Sequence, residues 1–375
     1  MQVSLSLCWG FGVPVTKGRA VAITHHEELS SGASFAEPPV RQPRPVLWWS
    51  SAGVALLGFQ VFVLARWALG PNFTSTDPGR DELPAWNSFV FAALQIGIPV
   101  AAVALLYLWV IRPWRKHGYL TTDAMIALAA STVFFWDMVM NYTSVTLFYN
   151  SHLINRGAWA NGAWPTWTSP HANKLPEPLL IVPPAYTALV FSQVIVILWL
   201  LRKAKARWPG LGIVGTIVTI VVGLTLSDTL VEGLVLRTGV YAYPGGIRAI
   251  SLFAGQTYQI PLSETVLFGG FSLGAIACLS YFRDDRGQTV VERGINTLKL
   301  NFKGKQAVKF FAIYGAIHLG FLVLYMLPQQ WFATHSDPFP PGYPSYMIND
   351  MCAAGADGHA CPGPGVPMPR PTHNP

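Results

Sequence analysis

The sequence predicts an all-α integral membrane protein, a bundle of about seven transmembrane helices with its N-terminus cytoplasmic and its C-terminus outside. Three observations carry that expectation. Of 375 residues, 51% are hydrophobic and 11% charged, where soluble domains average roughly 25% charged. Seven apolar runs each approach the roughly 20 residues that a helix needs to cross hydrocarbon. The loops between them alternate between basic and base-poor, as the positive-inside rule requires of a multi-pass protein in the cell membrane.

Residues 1–46 mix His25, His26, Glu27 and Glu28 with Ser, Gly and Pro. They lack the charged start and continuous apolar core of a signal peptide, and read as a disordered cytoplasmic arm. The transmembrane domain covers 47–327, with spans at about 47–69, 88–111, 121–141, 179–201, 211–232, 262–282 and 308–327. The segment 328–375 is dense in Pro and Gly and reads as an outer tail, in which Cys352 and Cys361 are placed for a disulfide.

Orientation follows from the basic residues. Arg112, Arg115 and Lys116 follow the second span; Arg202, Lys203, Lys205 and Arg207 follow the fourth; seven more lie between Arg283 and Lys309. With Lys17, Arg19, Arg41 and Arg44 these make eighteen of the 25 basic residues on one face. A net charge of +7 then reflects topology and anionic headgroups, and no nucleic-acid partner is implied.

Two catalytic-looking patterns are set aside. Gly210-Leu211-Gly212-Ile213-Val214-Gly215 fits the dinucleotide fingerprint, but no strand precedes it. Gly270-Phe271-Ser272-Leu273-Gly274 fits a nucleophile elbow but sits inside the sixth span, where Gly-xxx-Gly reads as a helix-packing face.

The acids within the spans point to a functional site, because ionisable groups at membrane depth are costly. Asp137, Asp228, Glu232 and Glu264 all fall toward the span ends away from the basic loops. Asp137 and Asn141 are four residues apart, as are Asp228 and Glu232, so each pair shares a helical face. Both pairs lie at helix C-terminal ends, where the dipole disfavours acids. Competing structural roles are an ion pair with Arg237 or Arg248 for Asp228 and Glu232, first-turn capping for Glu264, and a buried hydrogen bond for Asp137. Acids that share a pocket shift one another's protonation, which leaves a neutral carboxyl beside an ionised one for general acid-base catalysis.

The connections on that side are rich in aromatic and amide side chains. Tyr142, Tyr149, Asn150, His152, Trp159 and His171 lie in one, and Tyr241, Tyr243, Gln256 and Tyr258 in the other. They suit an uncharged or cationic organic ligand, or an interfacial aromatic belt. The separation of His152 and His171 matches no compact metal pattern, so no metal is expected. His318, alone in the seventh span, reads as a helix-helix hydrogen bond.

The stretches Phe135-Trp136-Asp137-Met138-Val139-Met140-Asn141-Tyr142 and Tyr149-Asn150-Ser151-His152-Leu153-Ile154-Asn155-Arg156-Gly157-Ala158-Trp159 resemble the AveC-like spirocyclase family of membrane proteins. Tyr241-Ala242-Tyr243-Pro244-Gly245 and Gly255-Gln256-Thr257-Tyr258-Gln259-Ile260-Pro261-Leu262-Ser263-Glu264 are similar to the same family. The resemblance covers roughly 47–327. It implies cyclisation and dehydration of a hydrophobic polyoxygenated substrate, as in spiroketal formation, without a redox cofactor. It supplies no catalytic residue set. The chemistry of the residues nominates Asp137 and Glu264 as the acid and base pair, with Asp228 and Glu232 tuning them or contacting substrate. Substrate contacts are expected from Asn141, Tyr142, Tyr149, Asn150, His152, Trp159, Tyr243 and Tyr258. A carrier, a receptor, and a different lipid or terpenoid cyclase are the competing functions.

Overall fold

The computed structural model describes residues 44–140, 146–165 and 172–349. Six helices among them are long and apolar enough to cross a membrane: α1 (Pro45–Ala68), α2 (Ala85–His117), α4 (Val182–Arg207), α5 (Ile213–Leu236), α6 (Leu262–Tyr281) and α7 (Phe302–Thr334). The third predicted span, 121–141, is instead a shorter apolar helix, α3 (Thr122–Trp136). Its α-helical part ends at Ser131, and Val133–Trp136 tightens into a 3-10 turn. The local cause is a run of β-branched and aromatic residues after Ser131, where the Ser131 and Thr132 hydroxyls bond back to the carbonyls of Ala127 and Ala129. Ala124, Met125, Ile126, Ala127, Ala129 and Ala130 are all buried, so α3 is an internal helix rather than a lipid-facing one.

Helix α5 shows how sequence period becomes architecture. Thr216, Ile220, Leu224, Asp228, Glu232 and Leu236 recur every four residues and are buried. Val214, Val218, Val222, Leu226, Leu230 and Leu234 form the exposed stripe opposite. A bilayer solvates such an apolar stripe, so the two acids face protein. Small residues let the neighbouring helices approach. A Cβ at Gly270 would come 2.5 Å from Thr225 Oγ1 of α5, and one at Gly53 of α1 would come 2.0 Å from the carbonyl oxygen of Phe311 in α7.

Beyond the helix ends the connections pair with one another. Strand β1 (Phe148–Tyr149) runs antiparallel to β2 (Tyr241–Ala242), with Tyr149 opposite Tyr241. Strands β3 (Ser251–Leu252) and β4 (Ile260–Pro261) form a second two-stranded sheet. The last helix passes the predicted boundary at 327 and runs to Thr334, and the chain after it folds onto these connections. The Asp337 amide donates to Gly246 O (2.9 Å), the Ser151 amide to Tyr346 O (2.9 Å), and the Ser345 amide to Asp81 Oδ2 (2.6 Å). Residues 1–43 of the N-terminal arm, and Cys352 and Cys361, lie outside the described residues, while Pro45 and Val46 already belong to α1.

Candidate functional site

Asp137 directly follows the 3-10 turn and is buried. Both its carboxylate oxygens are occupied: Oδ2 accepts from the Tyr149 hydroxyl at 2.7 Å and Oδ1 from the Tyr186 hydroxyl at 2.8 Å. The β1–β2 register then links this acid to the next. Tyr149 and Tyr241 sit opposite each other with ring centroids 5.8 Å apart, and the Tyr241 hydroxyl donates to Glu232 Oε2 at 2.5 Å. Tyr243 is an electrostatic neighbour of both Glu232 and Glu264. Glu264 Oε1 accepts from the Tyr325 hydroxyl at 2.5 Å. Asp228 Oδ1 accepts from Gln193 Nε2 at 3.2 Å, and the Gln193 carbonyl accepts from Ser227 at 2.7 Å.

Three of these side chains stand at widened helical turns. Tyr186 opens the π-helical stretch Tyr186–Phe191, Glu264 immediately precedes Thr265–Leu273, and Tyr325 lies in Leu322–Met326. Such π segments re-aim side chains and recur at functional sites. A glycine completes the arrangement: a Cβ at Gly269 would fall 2.6 Å from Asp228 Cβ, so only a residue without a side chain lets α6 approach this acid.

The four predicted acids therefore meet in one buried network. Asp137 is in electrostatic contact with Glu232 and Glu264, and Asp228 with the same two. Neither competing cation joins them. The Arg237 guanidinium lies 4.0 Å above the Tyr258 ring, and Arg248 bonds Asp337 and the Pro338 carbonyl. Among the described residues none of these acids has an ion-pair partner. Phenols supply the donors to Asp137, Glu232 and Glu264 instead, and the Gln193 amide the donor to Asp228. Burial, and then the neighbouring carboxylates, hold the Tyr149, Tyr241 and Tyr243 hydroxyls well above the usual tyrosine range, so they stay neutral donors.

A fifth acid was not anticipated. Glu177 is fully buried and in electrostatic contact with Asp137, and neither of its carboxylate oxygens has a hydrogen-bond partner among the described residues. It sits between Pro176 and Pro178, which reads as a solvated connection. The available signal was that this acid adjoins the apolar start of α4. Tyr186 and Tyr325 were likewise missed, because a tyrosine within a span reads as apolar packing.

Of the expected substrate contacts, Tyr149 and Tyr243 join the acids and four do not. Asn150 is buried and braces the backbone, donating to Gly239 O and accepting from the His152 amide. His152 is exposed, with its ring against Tyr346. Trp159 is core, its indole donating to Phe135 O at 2.9 Å. Tyr258 is partly buried under Arg237. Asn141, Tyr142 and His171 lie outside the described residues, and the irregular backbone at 132–138 replaces the regular helix expected to align Asp137 with Asn141.

A cleft of about 290 Å³ adjoins the network, lined by Trp86, Asn87, Asn150, Tyr241, Tyr258 and Tyr343 among others. Tyr241 belongs to both: its ring lines the cleft and its hydroxyl holds Glu232. The family model described as "Spirocyclase AveC-like" matches residues 114–348. The chain belongs to the AveC-like spirocyclase family. Membership points to a cyclase-type role in secondary metabolism. The family match begins after most of α2 and extends past α7, so it includes all five acids and the folded segment up to Ile348, whereas the motifs suggested 47–327. Comparisons with curated proteins and with solved structures gave no match.

Proposed function

We propose that this protein is a membrane-embedded cyclase acting on a hydrophobic, polyoxygenated substrate of polyketide or lipid type, by acid-base cyclisation and dehydration. The observation that supports it is the meeting of Asp137, Glu177, Asp228, Glu232 and Glu264 in one interior site whose donors are phenols and the Gln193 amide rather than cations. A cationic partner would quench a carboxylate; a phenol orients it and leaves its charge available.

In spiroketal formation a neutral carboxyl protonates a hemiketal hydroxyl, the C–O bond breaks and water departs. The oxocarbenium ion left behind is stabilised by a carboxylate and by aromatic faces. A second substrate hydroxyl then closes the ring and gives up its proton. Asp137, with both oxygens receiving phenol hydrogens, fits the carboxylate. The neutral partner is Glu264, which the sequence pairs with Asp137 without assigning the two roles, or Glu177, which is in electrostatic contact with Asp137. Substrate approaches through the cleft, with Tyr241 as its inner wall. The basic loops face the cytoplasm and the cleft opens on the other side of the cell membrane.

The test compares metabolites of cells carrying the wild type, Asp137→Asn or Glu264→Gln, with membrane levels of each protein measured. Loss of a product and accumulation of a precursor heavier by one water are expected. An unchanged metabolome with both variants stably expressed would favour a binding or transport role.

A further inference from the structure

We propose that Glu177 is the proton donor of the site, paired with Asp137 as the carboxylate to which the proton passes during ring closure. This rests on the cyclase reading above and assigns the residue that starts its reaction.

The argument begins with the donor inventory. Each of the other four acids has a hydrogen-bond donor: Tyr149 and Tyr186 on Asp137, Gln193 on Asp228, Tyr241 on Glu232, Tyr325 on Glu264. Among the described residues Glu177 has none, although it is 0% exposed. A carboxylate so placed would be a bare charge in an apolar interior, which proteins avoid by keeping the proton. Burial, reinforced by the Asp137 charge, holds the Glu177 carboxyl well above the usual glutamate range.

Its position is fixed by the backbone. The Pro178 carbonyl accepts from the amides of Ile181 and Val182 at the start of α4, the Leu179 amide donates to Ile154 O at 2.9 Å, and Pro178 bridges to Asn155. A buried carboxyl on so fixed a backbone, with an uncommitted O–H, is set to meet an acceptor that the described residues do not supply. The substrate oxygen that loses water is such an acceptor. Asp137 and Glu177 thus form an unequal pair, one acid solvated by phenols and the other by nothing, and environments that differ in this way separate the roles of two carboxyls.

The steps balance. The Glu177 proton goes to the hemiketal hydroxyl, the carbon–oxygen bond breaks and water leaves, with Glu177 now a carboxylate. A second substrate hydroxyl attacks the oxocarbenium carbon, the new carbon–oxygen bond forms, and its proton passes to Asp137. Transfer from Asp137 to Glu177 restores both groups, and the net change is the loss of one water.

Two measurements on Glu177→Gln and Asp137→Asn test this. The first is product formation in cells per unit of membrane protein. The second is the infrared carbonyl band of a protonated carboxylic acid in the purified full-length protein at neutral pH. Glu177→Gln is expected to lose one such band and at least about 100-fold of product, whereas Asp137→Asn loses product and keeps the band. Should Asp137→Asn lose product while Glu177→Gln keeps it, the cyclase reading stands and Glu177 is not the donor. Should both keep it, the cyclase reading itself fails. A wild-type spectrum without the band assigned by Glu177→Gln overturns the proposal whatever the product does. If Glu177→Gln does not accumulate in membranes, Glu177→Asp decides: a shifted protonated-acid band upholds the assignment, and its absence ends it.

Discussion

Two buried polar networks lie close together in this bundle and are built on opposite terms. Around His318 every polar atom is matched. Nδ1 accepts from Gln60 Nε2 at 3.0 Å and from Trp136 Nε1 at 2.9 Å, so Nε2 carries the hydrogen and meets Thr132 Oγ1 at 3.0 Å. Tyr314 stacks on the imidazole with centroids 4.0 Å apart, and its hydroxyl donates to Gln60. Around the acids, by contrast, both oxygens of Glu177, Oδ2 of Asp228 and Oε2 of Glu264 have no partner among the described residues. A satisfied network fixes helix positions, while unmatched buried oxygens cost stability that a folded protein tolerates where a ligand completes them. The difference separates scaffold from site more sharply than burial or residue type does.

The largest expected effect sharpens this contrast. Asp137→Asn should lower product formation by about 10²–10⁴-fold, the usual worth of an acid-base group, with protein levels in membranes near those of the wild type. His318→Ala should do the reverse, leaving Gln60 and Trp136 as orphaned donors and a cavity, at a cost of about 2–5 kcal/mol. Thermal unfolding of the detergent-purified protein measures that cost. Turnover per folded molecule should change far less than in Asp137→Asn, and an equal loss would erase the distinction between the networks. Tyr186→Phe, which removes one of two phenols from Asp137, should reduce product about tenfold, consistent with about 1.4 kcal/mol for one charge-assisted bond.

The smallest effect concerns pH. The Glu177 carboxyl, raised by burial and by Asp137, is favoured neutral in the folded chain. Its contribution is therefore complete below the ordinary glutamate range near about 4.3 and is lost as pH rises toward the elevated folded value. Glutamine at this position suffers no such loss. The melting temperature of Glu177→Gln should gain on that of the wild type between pH 4.5 and pH 7, and parallel curves would mean that Glu177 ionises freely.

Much of this was legible from residue spacing, and the gaps have physical causes. The interval of four between Asp228 and Glu232 gave their shared face, because a regular helix fixes side-chain direction. The same reasoning overreached at Asp137, where a 3-10 turn breaks the period. Asn150, His152 and Trp159 were read as ligand contacts because loop aromatics and amides suggest recognition, yet Asn150 and Trp159 tie the loop to backbone carbonyls elsewhere, those of Gly239 and Phe135. Glu177 was hidden by its two prolines, and only the folding of 146–165 over the α4 start places it inside.

The contact between Gly53 and Gly315 bears on how the chain is made. A Cβ at Gly315 would lie 2.2 Å from the Trp49 carbonyl oxygen, so the first and last long helices touch backbone to backbone. During synthesis α1 precedes the other described spans, and its tightest neighbour is α7, the last of them to emerge. Until α7 emerges, Gln60 waits for the Tyr314 and His318 partners that it brings. Assembly of the bundle is therefore expected to conclude at its last helix, and a nascent chain truncated before Gly315 should leave α1 accessible to quality-control proteases.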